Sequence, residues 1–268
     1  MNSNQYEQAK ELYKQGKSLR QIGELLNINR KELSKKFKED NIIIRDPNKN
    51  SKGKAKRFKE VDETIFETID TEEKAYWLGF LYADGYVNDK QVELALKAED
   101  LEHIKKFKNF MKSEHKISYK ENANAYRITI CSSKIASDLR ALGCVQAKSL
   151  ILTFPTEQQV PKHLIHHFMR GYFDGDGCIS YGQGQYRLSV LGTSDFLDEY
   201  ENYILNTLNR TNRNKRKPNG SALSIQYAGT EQVYKIYNFL YKDATIYLKR
   251  KYNKFLKNAV LRQDRKKS

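Results

Sequence analysis

The sequence predicts a mixed α/β (α+β) protein: two pseudo-symmetric αββαββα halves preceded by a small all-α N-terminal helix-turn-helix. Three observations predict it. The chain repeats its own pattern from about residue 61 onward, a nine-residue motif recurs once in each repeat, and the first forty residues carry helix-capping signals without any strand pattern. The expected domains are a helix-turn-helix at 1–45, a basic linker at 46–60, a first half at 61–160 and a second half at 161–268.

Residues 6–40 read as three short helices. Ala9, Leu12 and Tyr13 share one face before Gly16 breaks the pattern, and Ser18 with Gln21 forms a capping box that opens a helix with Leu19, Ile22 and Leu26 inward. Asn27-Ile28-Asn29 is a turn. Asn29 with Glu32 repeats the capping signature for a third helix, which buries Leu33 and Phe37 and turns Arg30, Lys31, Ser34, Lys35 and Lys38 outward. Such a basic third helix suits the major groove of duplex DNA; a plain three-helix bundle with a solvated lysine face is the other reading. Residues 46–60 hold six basic and two acidic residues with almost nothing apolar. This is a linker suited to lie along phosphates, or simply to tether.

In the first half, AYWLGFLYADGYV (75–87) leads to a strand QVELAL (91–96), a helix opened by Asp100, a strand AYRITI (125–130) and a helix from Ser133. In the second, FMRGYFDGDGCIS (168–180) leads to YRLSVL (186–191), a helix opened by Asp195, ALSIQY (222–227) and a helix from Thr230. Asp84 to Asp176, Asp100 to Asp195 and Ser133 to Thr230 are offset by 92, 95 and 97 residues. A slowly drifting offset is what duplication followed by small loop insertions leaves, so the halves should be structurally equivalent.

Composition points to a polyanionic partner. Lys+Arg is 48 against Asp+Glu 33, a net charge of +15, yet 12% of the 268 residues are aromatic, so this is a folded basic protein rather than a basic tail. Three cysteines without a C-x-x-C pair and five histidines without zinc spacing exclude a disulfide framework or a zinc site; the adjacent His166 and His167 read as structural. No apolar run approaches a membrane span and the N-terminus lacks a signal core, so the expected setting is cytoplasmic, reduced and membrane-free.

The two motifs, Trp77 to Gly85 and Met169 to Gly177, each read as the end of an amphipathic helix. Asp70 with Glu73 is the expected cap of the first, and Pro161 suits the first turn of the second; Gly85 and Gly177 are the expected left-handed stop residues. Gly79/Ala83 and Gly171/Gly175 place small residues four apart, permitting two backbones to approach closely, although glycine inside a helix costs about 1 kcal/mol relative to alanine. Each helix also carries an aspartate, Asp84 or Asp176, in its last turn, where the macrodipole disfavours an anion by roughly 0.3–1 kcal/mol. Packed together, two such carboxylates repel unless a cation lies between them; hard oxygen ligands point to Mg²⁺.

With those motifs the sequence resembles the LAGLIDADG homing endonucleases, single-chain two-motif branch, over about residues 70–260. The resemblance implies a saddle of two antiparallel sheets over double-stranded DNA, with the motif helices at its centre. It also implies double-strand cleavage of a long asymmetric site by metal-activated water, with Mg²⁺ as cofactor and Mn²⁺ substituting, and a monomeric enzyme of intron homing, intron-encoded or free-standing. The implied metal set is Asp84 and Asp176, each with the residue before it, Ala83 and Gly175. A basic residue late in each half is expected near the metal: Lys148 in the first, Lys251 or Arg250 in the second, with a non-specific phosphate contact as the other role for each. Tyr82 departs from the acidic residue usual at its motif position, which Asp174 keeps. Base readout is expected from alternating strand residues, among them Glu93, Arg127, Thr129, Arg187, Ser189 and Gln226.

The rival readings are a non-cleaving LAGLIDADG-fold transcription regulator and an RNA maturase that binds intron RNA. The retained aspartate pair discriminates against the regulator. An intein is disfavoured, since the chain begins at Met1 and ends RKKS.

Overall fold

Side-chain caps set where most helices begin. The computed structural model describes residues 2–44, 60–145 and 151–256; the expected linker, apart from Glu60, and Lys148 lie outside them. The chain divides into two compact units, Met1–Phe58 and Lys59–Ser268.

The first unit has three helices, α1 (Ser3–Lys14), α2 (Leu19–Leu26) and α3 (Arg30–Glu39). Ser18 and Gln21 form the expected reciprocal box, and Asn2 with Gln5 forms a second one. Asn29 caps α3 through the amide of Lys31, one residue before the Glu32 amide that the expected capping box would use. Gly16 (φ 96°) and Asn27 (φ 51°) take the left-handed backbone that ends α1 and α2. Ala9, Ile22, Leu33 and Phe37 are fully buried, and the hydroxyl of Tyr6 donates to Asp40 at 2.6 Å, closing α1 onto α3.

The second unit holds the repeat. Its first half runs α4 (Glu72–Asp84), β1 (Gly85–Val87), β2 (Gln91–Lys97), α5 (Leu101–Phe110), β3 (Ile117–Lys120), β4 (Ala125–Cys131) and α6 (Ser133–Ala141). The second half runs α7 (Ile165–Asp176), β5 (Gly177–Gly182), β6 (Gln185–Gly192), α8 (Ser194–Leu208), β7 (Lys217–Asn219), β8 (Ala222–Ala228) and α9 (Thr230–Tyr241). A last helix, α10, covers 249–256. Each half is thus αββαββα, as expected. The sheets are antiparallel with equivalent orders, β1-β2-β4-β3 and β5-β6-β8-β7.

Period-two patterning decides which sheet face is buried. Val92, Leu94, Ile128 and Ile130 pack inward under α5 and α6, and Leu188, Val190, Ile225 and Tyr227 do the same under α8 and α9. The opposite face of each sheet carries polar side chains. No helix among the described residues is long and apolar enough to cross a membrane.

Several expected caps move. Thr71, not Asp70, caps α4 through the amide of Lys74, while Asp70 pairs with the Lys74 ammonium at 2.9 Å. Pro161 precedes a one-turn 3₁₀ segment, Lys162–Leu164, ahead of α7. Asp100 makes no capping bond but receives Arg250, and Thr193 rather than Asp195 caps α8. For the three aspartates, a neighbouring hydroxyl or a tertiary ion pair outcompetes the carboxylate chosen on local spacing.

Candidate functional site

α4 and α7 cross along their small residues. A Cβ on Gly79 would lie 2.0 Å from the carbonyl oxygen of Phe168, and one on Gly171 would lie 1.9 Å from that of Tyr76. Backbone therefore touches backbone, with each glycine Cα–H directed at a carbonyl of the other helix. At the far end of the stripe, a Cβ on Gly175 would meet the Ala83 methyl at 2.3 Å and Asp84 Oδ2 at 3.4 Å. The Asp84 carboxylate is thereby held against the residue preceding Asp176.

The close crossing thus brings together four residues the sequence singled out: Ala83, Asp84, Gly175 and Asp176. Both carboxylates act on the same two neighbours. They push the buried Tyr172 hydroxyl further above the usual range than burial alone does, and they help hold the proton on Lys251. Asp84 is exposed and Asp176 half-buried, so the pair opens to solvent at the helix ends. The donors are hard oxygens, and a cation there would draw its remaining ligands from backbone carbonyls, water or a bound phosphate, the usual way Mg²⁺ is held. Among the described residues, no group of three or more His, Cys, Asp or Glu side chains is arranged for a metal.

Gly85 and Gly177 correct the expected left-handed stop. Their backbones are extended (φ −74° and −81°) and lead directly into β1 and β5. What demands glycine is space: a Cβ would lie 2.7 Å from Leu81 atoms and 2.2 Å from the Phe173 ring.

Lys251, on α10, is almost fully buried, and its Nζ donates to the carbonyls of Phe173 and Gly175 at 2.8 Å each. It thereby satisfies the Gly175 carbonyl at the α7 C-terminus and adds a second donor to the Phe173 carbonyl, which also accepts from the Gly177 amide. Burial pushes its pKa down to about 8, opposed first by Asp174 and then by Asp84 and Asp176, with Arg250 adding to the depression. Of the two alternatives for the second half, Lys251 is the one beside the aspartates. Arg250 points away, to Asp100 at 2.9 Å and Glu99 at 3.7 Å. Lys251 takes one lone pair of the Gly175 carbonyl and leaves the second for a metal.

Asp174, the acidic residue the motif retains, is wholly buried and faces the protein. It accepts from Tyr241 at 2.6 Å, from the Leu248 amide at 2.7 Å and from Tyr76 at 2.8 Å; burial raises its pKa against these bonds. Tyr76 also bonds His103 Nε2 at 2.9 Å, and burial lowers the pKa of that ring to about 3, keeping it neutral. This network ties α4, α7, α9 and the segment leading to Lys251 together. Tyr82, in the matching first-half position, instead donates to the carbonyl of Leu142.

A second set at the other end of α7 escaped the sequence reading. Arg170, without exposure, donates to Glu72 at 2.6 Å, to the carbonyls of Leu240 and Ile246, and bonds His167 Nδ1 at 2.9 Å. Its signal was available: a lone arginine inside the otherwise uncharged run Phe168 to Phe173 of the motif helix. His166 and His167 are half-buried here, with pKa values lowered by burial.

The six strand residues singled out for readout all lie on polar sheet faces. Glu93 pairs with Thr129 and Ser189 with Gln226 across strands, Arg127 reaches Glu93 at 3.1 Å, and Arg187 is exposed beside Gln183. In the first unit, Arg30, Lys31 and Lys35 are exposed on α3, with Ser34 half-buried between them.

No family model and no curated protein matches the chain. Solved structures do. A point mutant of I-SmaMI aligns with a TM-score of 0.50 at 13% identity, over 71% of this chain and 92% of that one. The I-SmaMI LAGLIDADG homing endonuclease bound to cleaved DNA aligns at 0.48 and 13%, over 74% and 92%. The I-LtrWI LAGLIDADG homing endonuclease bound to target DNA aligns at 0.46 and 10%, over 75% and 92%. The likeness at 0.50 is one of fold: the two-half LAGLIDADG architecture.

Proposed function

Starting from that shared fold, we propose that the chain is a site-specific double-strand DNA endonuclease of the homing type. It acts inside the cell as a monomer on a long asymmetric duplex. The observation that carries this reading is the aspartate pair, Asp84 and Asp176, held at two crossing helix ends with the Lys251 ammonium seated beside it. Like-charged carboxylates at two negative dipole ends are unfavourable in a resting protein and make sense at a cation site.

Asp84 and Asp176, with the Ala83 and Gly175 carbonyls, would hold Mg²⁺, or Mn²⁺ in its place. Bound there, the metal would supply Lewis-acid stabilisation of the leaving oxygen and a more acidic water. The chain's own residues do the rest. Asp174 and its tyrosines fix the segment that carries Lys251, and Lys251 offers a cation to a phosphate or, with its pKa near 8, accepts a proton at Nζ. Lys148 is the proposed first-half counterpart. The polar sheet faces, including Arg127 and Arg187, read the duplex. Arg30, Lys31, Ser34 and Lys35 on α3 serve as a helix-turn-helix recognition surface, and Arg250 contributes charge near the backbone while bonded to Asp100.

The test is incubation with Mg²⁺ and a library of long duplexes, followed by sequencing of the cut ends. Wild type should yield a recurring site, and Asp84→Asn or Asp176→Asn should bind that site and leave it intact. A wild type that binds a defined site without ever cutting it under Mg²⁺ or Mn²⁺ refutes the nuclease and favours the regulator. Binding of intron RNA over duplex DNA at matched salt would favour the maturase.

A further inference from the structure

The segment between α8 and β8 is the most basic stretch of the described second unit. Residues 209–219 read NRTNRNKRKPN, with five basic residues and no acidic one, whereas the matching first-half segment through β3, 111–120, has three lysines and one glutamate. The structure staples two of these five cations, Arg213 and Arg216, and leaves Arg210, Lys215 and Lys217 exposed. Arg216 donates to Glu201 at 2.8 Å and to Asp198 at 2.5 Å. Arg213 donates to the Asp198 carbonyl at 3.0 Å and to Asn202 at 2.6 Å, and the Asn214 amide donates to Glu201 at 2.8 Å. Glu201 itself is fully buried in α8. Two carboxylates thus neutralise two arginines and staple the segment to the helix.

Lys215 and Lys217 alternate with the stapled residues and are exposed. Lys217 Nζ donates to Gln226, whose strand neighbour is Ser189, so it stands on the polar face of the second sheet. A buried carboxylate is costly unless fully bonded, and here its cost is offset by rigidity in an exposed basic edge.

We propose that Lys215 and Lys217 form a preformed clamp for the phosphodiester backbone of duplex DNA, present in the second half alone, with Glu201 as the residue that positions it. The clamp rests on the reading that the polar sheet faces take DNA, and it makes the grip on the duplex asymmetric between the halves.

The test uses the full chain and a fluorescent random-sequence duplex, with affinity measured from 50 to 300 mM salt. Neutralising two phosphate contacts should lower the slope of log K against log salt by about 1.8. Lys215→Gln/Lys217→Gln should show that drop, whereas Lys235→Gln/Lys242→Gln, an equal charge loss in the helix layer, should not. Glu201→Gln should lower the slope with both lysines intact and add nothing to the double variant. An unchanged slope in Lys215→Gln/Lys217→Gln, or an equal drop in the control pair, overturns the clamp while leaving DNA binding in place. An unchanged slope in Glu201→Gln with normal thermal stability overturns its positioning role. A wild type that does not bind the duplex overturns the DNA reading and the clamp with it.

Discussion

Replacing Gly171 by alanine should destabilise the second unit even though alanine is the better helix former. Intrinsic propensity alone favours the change by about 1 kcal/mol. The added methyl, however, would sit 1.9 Å from the Tyr76 carbonyl oxygen and 2.9 Å from the Phe80 nitrogen, both backbone atoms that cannot rotate away. Relief to an ordinary carbon–oxygen separation of about 3.3 Å requires α4 and α7 to part by roughly 1.4 Å. A gap of that order forfeits a quarter to a half or more of each dispersion contact along the seam, and it breaks the glycine Cα–H contacts. Overpacking of this kind costs about 3 kcal/mol or slightly more, which leaves a net loss of about 2–3 kcal/mol. For a unit of this size, that corresponds to a fall in Tm of roughly 4–12 °C. Thermal unfolding of Gly171→Ala beside wild type measures it. Gly182→Ala is the control, because nothing lies within 4 Å of its added carbon and its φ is ordinary. Gly79→Ala should behave like Gly171→Ala, and the double variant should cost clearly less than the sum, since helices already parted accept the second methyl cheaply. A Tm for Gly171→Ala within 2 °C of wild type would refute the reasoning.

Other outcomes follow from the same geometry. Asp84→Asn should abolish double-strand cleavage and, without added metal, raise Tm slightly by removing half of a like-charge pair at two helix ends; a clear loss of stability would mean the carboxylate is structural. Lys251→Met should slow cleavage by about one to three orders of magnitude with a much smaller effect on DNA binding, and a rate within twofold of wild type would exclude it from the site. The pKa of His103 is depressed by burial to about 3 and that of His167 to about 4, so the unfolded chain takes up their protons first. Stability is therefore full above pH 6.5 and falls as pH drops toward 3–4, and a Tm that holds constant from pH 7 to 4.5 would contradict the neutral buried rings. Deleting residues 1–60 should leave a folded second unit with weaker, less salt-dependent DNA binding; equal affinity and slope would deny the first unit a role on DNA.

Much of this architecture is legible without coordinates. The drifting repeat alone announces two equivalent αββαββα halves, because a duplicated sequence that must bury the same periodic faces folds the same way twice. Gly79/Ala83 and Gly171/Gly175 announce the helix crossing, since no local advantage explains glycine in mid-helix. Asp84 and Asp176 stand out for the same reason, as anions at the wrong ends of two helices. Chemistry that violates local rules is readable from local rules.

What only the tertiary structure decided is which partner each polar group finds. Asp70 and Asp100 look like caps in one dimension, yet once the chain is packed Thr71 caps α4 in place of Asp70, and Arg250 takes the Asp100 carboxylate. Gly85 and Gly177 look like left-handed stops, but the side chains and carbonyls of Leu81 and Phe173, not the backbone dihedral, exclude a Cβ there. Asp174 sits two residues from Asp176 and shares its charge, yet it points inward to Tyr76, Tyr241 and Leu248, 67 to 98 residues away in the chain. The choice between Arg250 and Lys251 likewise turns on adjacent residues of a helix pointing about 100° apart. Local spacing specifies where a helix or strand can form, because that depends on near neighbours. The identity of a buried ion's partner depends on long-range approach, set only when the two halves close on each other.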